Sequence, residues 1–468
     1  MVFNSVSFLV FFLLFFFLYW WLNRKASSPI INLFLVASSY VFYGWWDWRF
    51  LGLIVISSIS DYILGLKVGN SAASKTKKFY LILSLVINLG ILAFFKYFNF
   101  FIEGFETLIT GLGIKANYFS LNIILPVGIS FYTFQTMSYC IDIYRGKIKP
   151  TNRPLQFFAF VSFFPQLVAG PIERAARFLP QFGHRKIFNY NKAIQGFRLI
   201  LWGLFKKIVI ADNFAVLVDE IFANPSDYSV FGILLGSLLF AFQIYCDFSG
   251  YSDIAIGLGK TLGFDLSANF KKPYFSSSFG EFWSRWHISL STWFKDYVYI
   301  PLGGNRVSKG RKNFNLMATF LLSGLWHGAN ITFLIWGFLH GLALILEKKT
   351  KTTNLFKPLV IFFVCCLFWI PFRAENIDHL QALIAQLLSL EGAHFPVSIL
   401  NDLYRYGSIA LLFFVFVAFE YSMKDRNEID HFNHSSKVVR LAFYYLLVLS
   451  ILFLGNFDVK PNFIYFQF

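Results

Sequence analysis

Long apolar runs, each closed by a cluster of Lys and Arg, recur along this chain. Residues 6–22 are followed by Arg24 and Lys25, residues 50–66 by Lys67, Lys75, Lys77 and Lys78, and residues 123–143 by Arg145, Lys147, Lys149 and Arg153. Roughly 20 apolar residues make a helix that crosses a hydrocarbon core of about 30 Å. The chain is 57% hydrophobic and 14% charged, whereas a soluble domain carries about 25% charged residues. It therefore reads as a polytopic membrane protein. The net charge of +16 invites a nucleic-acid reading. The basic residues instead sit in short clusters between apolar runs, which is the positive-inside pattern, so no nucleic acid is expected. Residues 31–46 and 79–95 are the second and fourth spans. Because the clusters follow spans one, three and five, the pattern places the N-terminus outside and those loops in the cytoplasm. Trp45, Trp46 and Trp48 then form an outer interfacial belt.

The middle of the chain is less regular. Residues 155–170 are apolar but short, contain Pro165 and end in Gly170-Pro171, with Arg153 before them and Arg174, Arg177, Arg185 and Lys186 after. A segment that starts and ends on the basic side is predicted to be re-entrant, and backbone of that kind must be buried in protein or line a water-filled cavity. Residues 193–210 read as a helix interrupted by Lys206 and Lys207, and residues 230–245 as a span running into Asp247. Across residues 281–300, Trp283, Trp286, Leu290, Trp293 and Tyr297 recur at helical spacing, predicting one amphipathic helix at an interface or packed across the bundle. Residues 314–326 rise and 331–346 return to Lys348, Lys349 and Lys351. Residues 355–371, 406–421 and 442–454 are further spans, with a surface helix suggested by Leu380, Leu383 and Leu387. The expected fold is all-α, with about eleven transmembrane helices plus re-entrant and interfacial helices. It forms a single domain over 1–468, divided into N-terminal spans (1–144), a core (145–346) and C-terminal spans (347–468). The first run reads as a membrane helix and not a removed signal peptide, since no basic residues or small-residue cleavage site frame it. The four cysteines lie in apolar segments without metal spacing and read as small buried thiols.

Two histidines stand inside apolar, aromatic-rich stretches: His287 in Trp-His-Ile-Ser-Leu-Ser and His327 in Trp-His-Gly-Ala-Asn. An ionisable side chain at membrane depth is a functional candidate by default, and histidine is the side chain best matched to proton transfer near neutral pH. Thirteen helical residues, 314–326, rise only about 20 Å. His327 would then stop short of the outer surface, at the Gly328-Ala329-Asn330 break, in a pit or funnel. The plainer reading of either histidine is a packed or hydrogen-bonded core residue. Gln243, Asp247, Ser249 and Tyr251 follow a span directly; they read either as a polar network orienting a histidine or binding a substrate, or as a capped helix-to-helix turn. His340, mid-segment with no adjacent break, reads as structural. His184, His379, His394, His431 and His434 lie in polar or interfacial stretches. Nucleotide-binding, zinc-protease and serine-hydrolase motifs are absent, no metal site is expected, and no pair of broken helices in related halves suggests a transporter.

Several stretches together resemble the membrane-bound O-acyltransferase family, in its bacterial alginate and polysaccharide O-acetyltransferase branch. They are Ser39-Tyr-Val-Phe-Tyr-Gly-Trp-Trp-Asp-Trp-Arg-Phe, Pro126-Val-Gly-Ile-Ser-Phe-Tyr-Thr-Phe-Gln, Phe164-Pro-Gln-Leu-Val-Ala-Gly-Pro-Ile, Trp202-Gly-Leu-Phe-Lys-Lys-Ile-Val-Ile-Ala-Asp-Asn, Asp247-Phe-Ser-Gly-Tyr-Ser-Asp, Trp286-His-Ile-Ser-Leu-Ser, Tyr299-Ile-Pro-Leu-Gly-Gly-Asn-Arg and Phe463-Ile-Tyr-Phe-Gln-Phe. The resemblance implies that His327 matches the family's catalytic histidine and His287 its second histidine. It also implies a funnel from outside that meets a donor tunnel near His327. Gln243, Asp247, Ser249, Tyr251, Trp286, Trp326 and Asn330 are the positioning candidates. The activity so implied takes an acyl group, acetyl in this branch, from a thioester co-substrate such as acetyl-CoA or an acyl carrier, with no bound cofactor. The acceptor is a hydroxyl of an extracytoplasmic glycan or an extracytoplasmic acetyltransferase partner, across a bacterial inner membrane whose lipid surrounds the chain. D-alanyl transfer to a cell-wall polymer, or a transporter that only conducts the acyl donor, are the alternatives.

Overall fold

The structure is a computed structural model that describes residues 1–113, 121, 123–347, 356–389, 396–424, 436–457 and 464. Lys348, Lys349, Lys351, His394, His431, His434 and all of the terminal Phe-Ile-Tyr-Phe-Gln-Phe except Ile464 lie outside the described residues. Among those described, every regular element is helical. The chain is an all-α, multi-pass membrane protein. Among the described residues, six helical stretches are long and apolar enough to cross a bilayer: Val6–Lys25, Ser28–Asn70, Ser74–Gly111, Val230–Thr261, Leu403–Ser422 and Lys437–Leu454.

Two compact units divide the chain, one of residues 1–193 with 258–267 and the other of 194–257 with 268–468. The first is built on α1 (Val6–Lys25), α2 (Ser28–Asp47), α3 (Leu51–Asn70), α4 (Ser74–Leu92), α5 (Phe98–Gly111) and α6 (Ile129–Tyr144), followed by the short α7 (Pro154–Ser162), α8 (Phe164–Leu167) and α9 (Ala175–Phe178). α1 is apolar all round, and burial separates its faces. Phe8, Phe12, Phe15, Tyr19 and Asn23 form a buried stripe at helical spacing, while Leu9, Val10, Leu13, Leu14, Phe17 and Trp21 remain exposed, the pattern of a helix with lipid on its outer face. Polar side chains join α3, α4 and α6. The Asp61 carboxylate accepts from Ser84 Oγ at 2.6 Å and Asn88 Nδ2 at 2.7 Å, and Asn88 Oδ1 accepts from Ser57 at 3.0 Å and Thr136 at 3.3 Å. Interhelical bonds of this kind contribute association energy where lipid supplies no hydrophobic drive. The predicted re-entrant stretch 155–170 forms α7 and α8, nine and four residues long, and its residues are almost all buried. Neither helix is long enough to cross the hydrocarbon core.

The second unit takes in most of α10 (Tyr190–Leu204), then α11 (Asp212–Ala223), α12 (Val230–Thr261, to Gly257), α13 (Phe279–Arg285), α14 (Ile288–Phe294), α15 (Lys309–His327), α16 (Ile331–Leu346), α17 (Lys357–Arg373), α18 (Ile377–Leu387), α19 (Val397–Asn401), α20 (Leu403–Ser422) and α21 (Lys437–Leu454). α15 and α16 pack closely against each other. A Cβ on Gly324 would overlap the Phe333 carbonyl, and one on Gly337 the Phe320 carbonyl, so these glycines let the two backbones meet. The predicted surface helix is α18, with Leu380 and Leu383 turned inward.

Three local expectations change. α15 has 19 residues, not thirteen, because Ser308 caps it and Lys309, Arg311 and Lys312 form its first turn. At about 1.5 Å per residue it rises about 28 Å, so the shortfall that suggested a pit is not there. The break itself is: helix geometry ends at His327, and Gly328 is extended. The single amphipathic helix over 281–300 is instead α13 and α14, seven residues each, with a π-helical turn at Lys295–Tyr299. Its stripe is internal, with Trp286, Leu290 and Trp293 all buried. Finally, α12 does not end near Asp247, so the capped-turn reading of that stretch fails.

Candidate active site

The second unit gathers both candidate histidines. α12 runs unbroken through Gln243, Asp247 and Tyr251, spaced four residues apart and therefore on one helical face; all three are buried, as is Ser249. The structure ties two of these polar groups to the paired lysines. Between α10 and α11 the chain takes a π-helical path over Phe205–Ala211, which turns Lys206 and Lys207 inward. Lys207 Nζ lies 2.7 Å from Asp247 Oδ1 and 2.7 Å from Asp212 Oδ1. Lys206 Nζ donates to Ser249 Oγ at 3.0 Å and pairs with Asp253 at 2.5 Å. Asp247 Oδ2 also accepts from the Ile464 backbone N–H at 2.8 Å, which brings that one residue from near the end of the chain to α12. Charges buried this deeply persist only when paired and hydrogen-bonded.

His287 occupies the break between α13 and α14. Its backbone is left-handed, φ 40° and ψ 54°, a conformation that costs a non-glycine residue on the order of 1–3 kcal/mol and persists only when its surroundings enforce it. Asn269 is the enforcing residue. Its carbonyl accepts from Ile288 N at 2.8 Å, its Oδ1 accepts from Ser289 N at 3.3 Å and Oγ at 2.9 Å, and its Nδ2 donates to Ser252 of α12 at 3.2 Å. The imidazole is fully buried. Phe248 of α12 stands edge-on to it at 4.6 Å, and Phe270 and Trp326 lie at 6.4 and 5.7 Å. Trp286, one residue earlier, packs against Trp369 at 5.0 Å, Phe270 at 5.1 Å and Phe282 at 5.6 Å.

His327 ends α15 and is 3% exposed. Trp326, Trp336 and Phe372 surround its ring at 5.0, 5.0 and 5.2 Å, each edge-on. The Trp326 indole thus touches both histidines. Asn330, past the break, has both polar atoms engaged: Oδ1 accepts from Thr332 N at 3.0 Å to cap α16, and Nδ2 donates to Glu375 O at 2.6 Å. It holds the turn that positions His327. His340 is fully buried, and its ring nitrogens have no hydrogen-bond partner among the described residues. Trp283, Trp336 and Phe368 lie 5.0 Å from it, so Trp336 contacts His327 on one side and His340 on the other.

Of the residues singled out in the sequence, the structure brings His287, His327, Trp286 and Trp326 into one aromatic cluster. It places Asp247 and Ser249 on the lysine pair. Sequence reasoning missed Asn269, Phe248, Trp336, Trp369 and Phe372, none of which carries a local signal of its role. Lys206 and Lys207 did carry one, as two cations inside an apolar helix.

The chain belongs to the membrane-bound O-acyltransferase family, whose model matches residues 151–359, the stretch that holds α12, both histidines and their break residues. Within it the chain falls in the polysaccharide O-acetyltransferase branch. It is 43% identical over 365 residues to a probable alginate O-acetylase of Azotobacter vinelandii, covering 76% of this chain and 72% of that one. It is 37% identical over 429 residues to the peptidoglycan O-acetyltransferase of Helicobacter pylori, covering 84% and 80%. A teichoic acid D-alanyltransferase of Streptococcus thermophilus matches at 32% over 247 residues, covering 49% and 59%. The chain is accordingly an acyltransferase, not a passive conduit.

Proposed function

We propose that this enzyme takes an acetyl group from a cytoplasmic thioester, acetyl-CoA or an acyl carrier, to a hydroxyl of an extracytoplasmic polysaccharide, or to a partner transferase that completes the step. It would do so in a bacterial inner membrane with its N-terminus outside. The observation that carries the reading is His327 at the broken end of α15, enclosed by indole and phenyl rings, one of which, Trp326, also packs against the buried His287.

In this reading His327 is the general base. It removes the acceptor hydroxyl proton as that oxygen attacks the thioester carbonyl. The new C–O bond forms, the C–S bond breaks, and the imidazolium returns its proton to the leaving thiolate. A positioned base of this kind contributes on the order of 10²–10⁴-fold. The rings around His327 exclude water that would otherwise hydrolyse the thioester. His287, held in its left-handed conformation by Asn269, orients the acceptor or the thioester together with Trp286 and Trp326. Asp247 and Ser249, tied to the lysine pair, fix α12 and through Phe248 the His287 ring, while Gln243, Asp247 and Tyr251 on one face of α12 position substrate or imidazole. The greater identity to the acetyl-transferring relatives, over more of the chain, supports acetyl over D-alanyl.

The test is thioester consumption by purified protein in proteoliposomes, with acetyl and D-alanyl donors in parallel. We expect acetyl transfer that His327→Ala abolishes while extraction yield and thermal stability are kept. Wild-type rates in a folded His327→Ala protein would remove the assignment. His340→Ala is the control and should retain substantial activity.

A further inference from the structure

At the end of α1 the first unit carries a cleft of about 440 Å³, lined by Phe16, Trp20, Asn23, Arg24, Lys186, Ile187 and Phe188. That volume lies within the range of small-molecule sites, roughly 300–1,000 Å³. Two basic clusters far apart in sequence meet here. Asn23 is the fastener: its carbonyl accepts from Arg185 Nε at 3.0 Å and its Oδ1 accepts from Lys186 N at 3.0 Å. The wall is aromatic, with Phe188 edge-on to Trp20 at 5.0 Å and to Phe16 at 6.5 Å. The Trp20 indole N–H is buried without an acceptor among the described residues.

The charge of the cleft is unbalanced. Arg24 and Lys186 both line it, and no carboxylate does. Lys186 Nζ rests over the Phe264 ring at 4.5 Å. Burial draws its ammonium down to about 8, with Asp265 acting the other way. An arriving anion would supply the counter-charge that burial withholds. The loop that closes the cleft is also unusual for a water-facing surface: Ile187 is 90% exposed and Phe188 and Tyr190 are exposed beside it, between Arg185, Lys186 and Lys192. Apolar side chains interleaved with cations suit the depth where acyl chains give way to headgroups.

We propose that this cleft binds the headgroup of an anionic phospholipid, its phosphate between Arg24 and Lys186 and its acyl chain along Phe16, Trp20 and Phe188. A soluble phosphate compound would use the two cations but not the aromatic wall or the exposed Ile187. A zwitterionic lipid would use the wall but would bring its own cation to the charged end. Bound lipid would fasten the loop at residues 185–188 to α1, a structural role separate from acyl transfer.

The test is native mass spectrometry of the full-length protein released from nanodiscs of phosphatidylcholine, with and without phosphatidylglycerol. We expect preferential retention of phosphatidylglycerol, reduced about fivefold for each cation removed in Arg24→Gln and Lys186→Gln, and kept in Lys25→Gln, whose side chain lies over Trp21. The charge-preserving pair Arg24→Lys with Lys186→Arg should retain the lipid, which separates loss of charge from loss of fold. Equal retention of both lipids, unchanged retention in the double Gln variant, or displacement of the lipid by inorganic phosphate alone would overturn the proposal.

Discussion

Lys207→Met is the sharpest probe of the second unit. Lys207 sits 2.7 Å from both Asp212 and Asp247, and the three side chains are 8%, 9% and 3% exposed. At an effective dielectric of 20, one such contact amounts to about 6 kcal/mol of Coulomb attraction, most of it offset by desolvation of the partners. Removing the cation strips away the attraction and leaves the desolvation, which typically costs about 3–5 kcal/mol for a buried pair. Asp247 keeps its bond to Ile464 N, so the lower end of that range is expected. Membrane proteins of this size commonly unfold irreversibly, so the observable is the inactivation half-life in detergent at fixed temperature. A loss of about 3 kcal/mol borne wholly by the unfolding barrier shortens it on the order of a hundredfold. Adding Asp247→Asn removes one of the stranded carboxylates, so the double variant should outlast Lys207→Met, with a coupling of about 1–3 kcal/mol. A Lys207→Met protein within about 0.5 kcal/mol of wild type, or a double variant whose losses simply add, would refute the reasoning.

His287→Gln keeps hydrogen-bonding capacity but cannot titrate; it should retain measurable activity and the acidic limb of the wild-type pH–rate profile, because that limb reports His327. Loss of the limb, or no activity in a folded protein, would mean the roles are reversed or the two histidines titrate as one unit. With the N-terminus outside, Thr76→Cys and Gly310→Cys should resist a membrane-impermeant thiol reagent applied from outside, against a low background since all four native cysteines are buried; strong labelling at position 76 would overturn the orientation. Lys186 is a lysine depressed in the folded state, to about 8, so between about pH 8 and 10.5 the unfolded chain holds the proton more tightly and stability rises with pH. The thermal midpoint of lipid-free wild type should therefore gain on that of Lys186→Met across that window, and parallel curves would refute the burial argument.

Class and broad architecture were legible in the residues alone, for a physical reason. Lipid admits backbone only where its hydrogen bonds close internally, so run length and basic clusters report helices directly. The two histidines were legible because a titratable side chain in an apolar run stands out against its neighbours, and the helix end at His327 because Gly328 and Asn330 mark it. The length of α15 was not: Lys309, Arg311 and Lys312 look like loop until a Ser308 cap makes them a first turn. Nor was the break at His287. Ser-Arg-Trp-His-Ile-Ser contains no glycine or proline, and the left-handed turn exists because Asn269, eighteen positions earlier, takes the Ile288 and Ser289 amides. The partners of Asp247 were equally hidden. A buried carboxylate must find a cation or donors, but which ones it finds, Lys207 from forty residues earlier and Ile464 from the far end of the chain, is decided by how the helices pack.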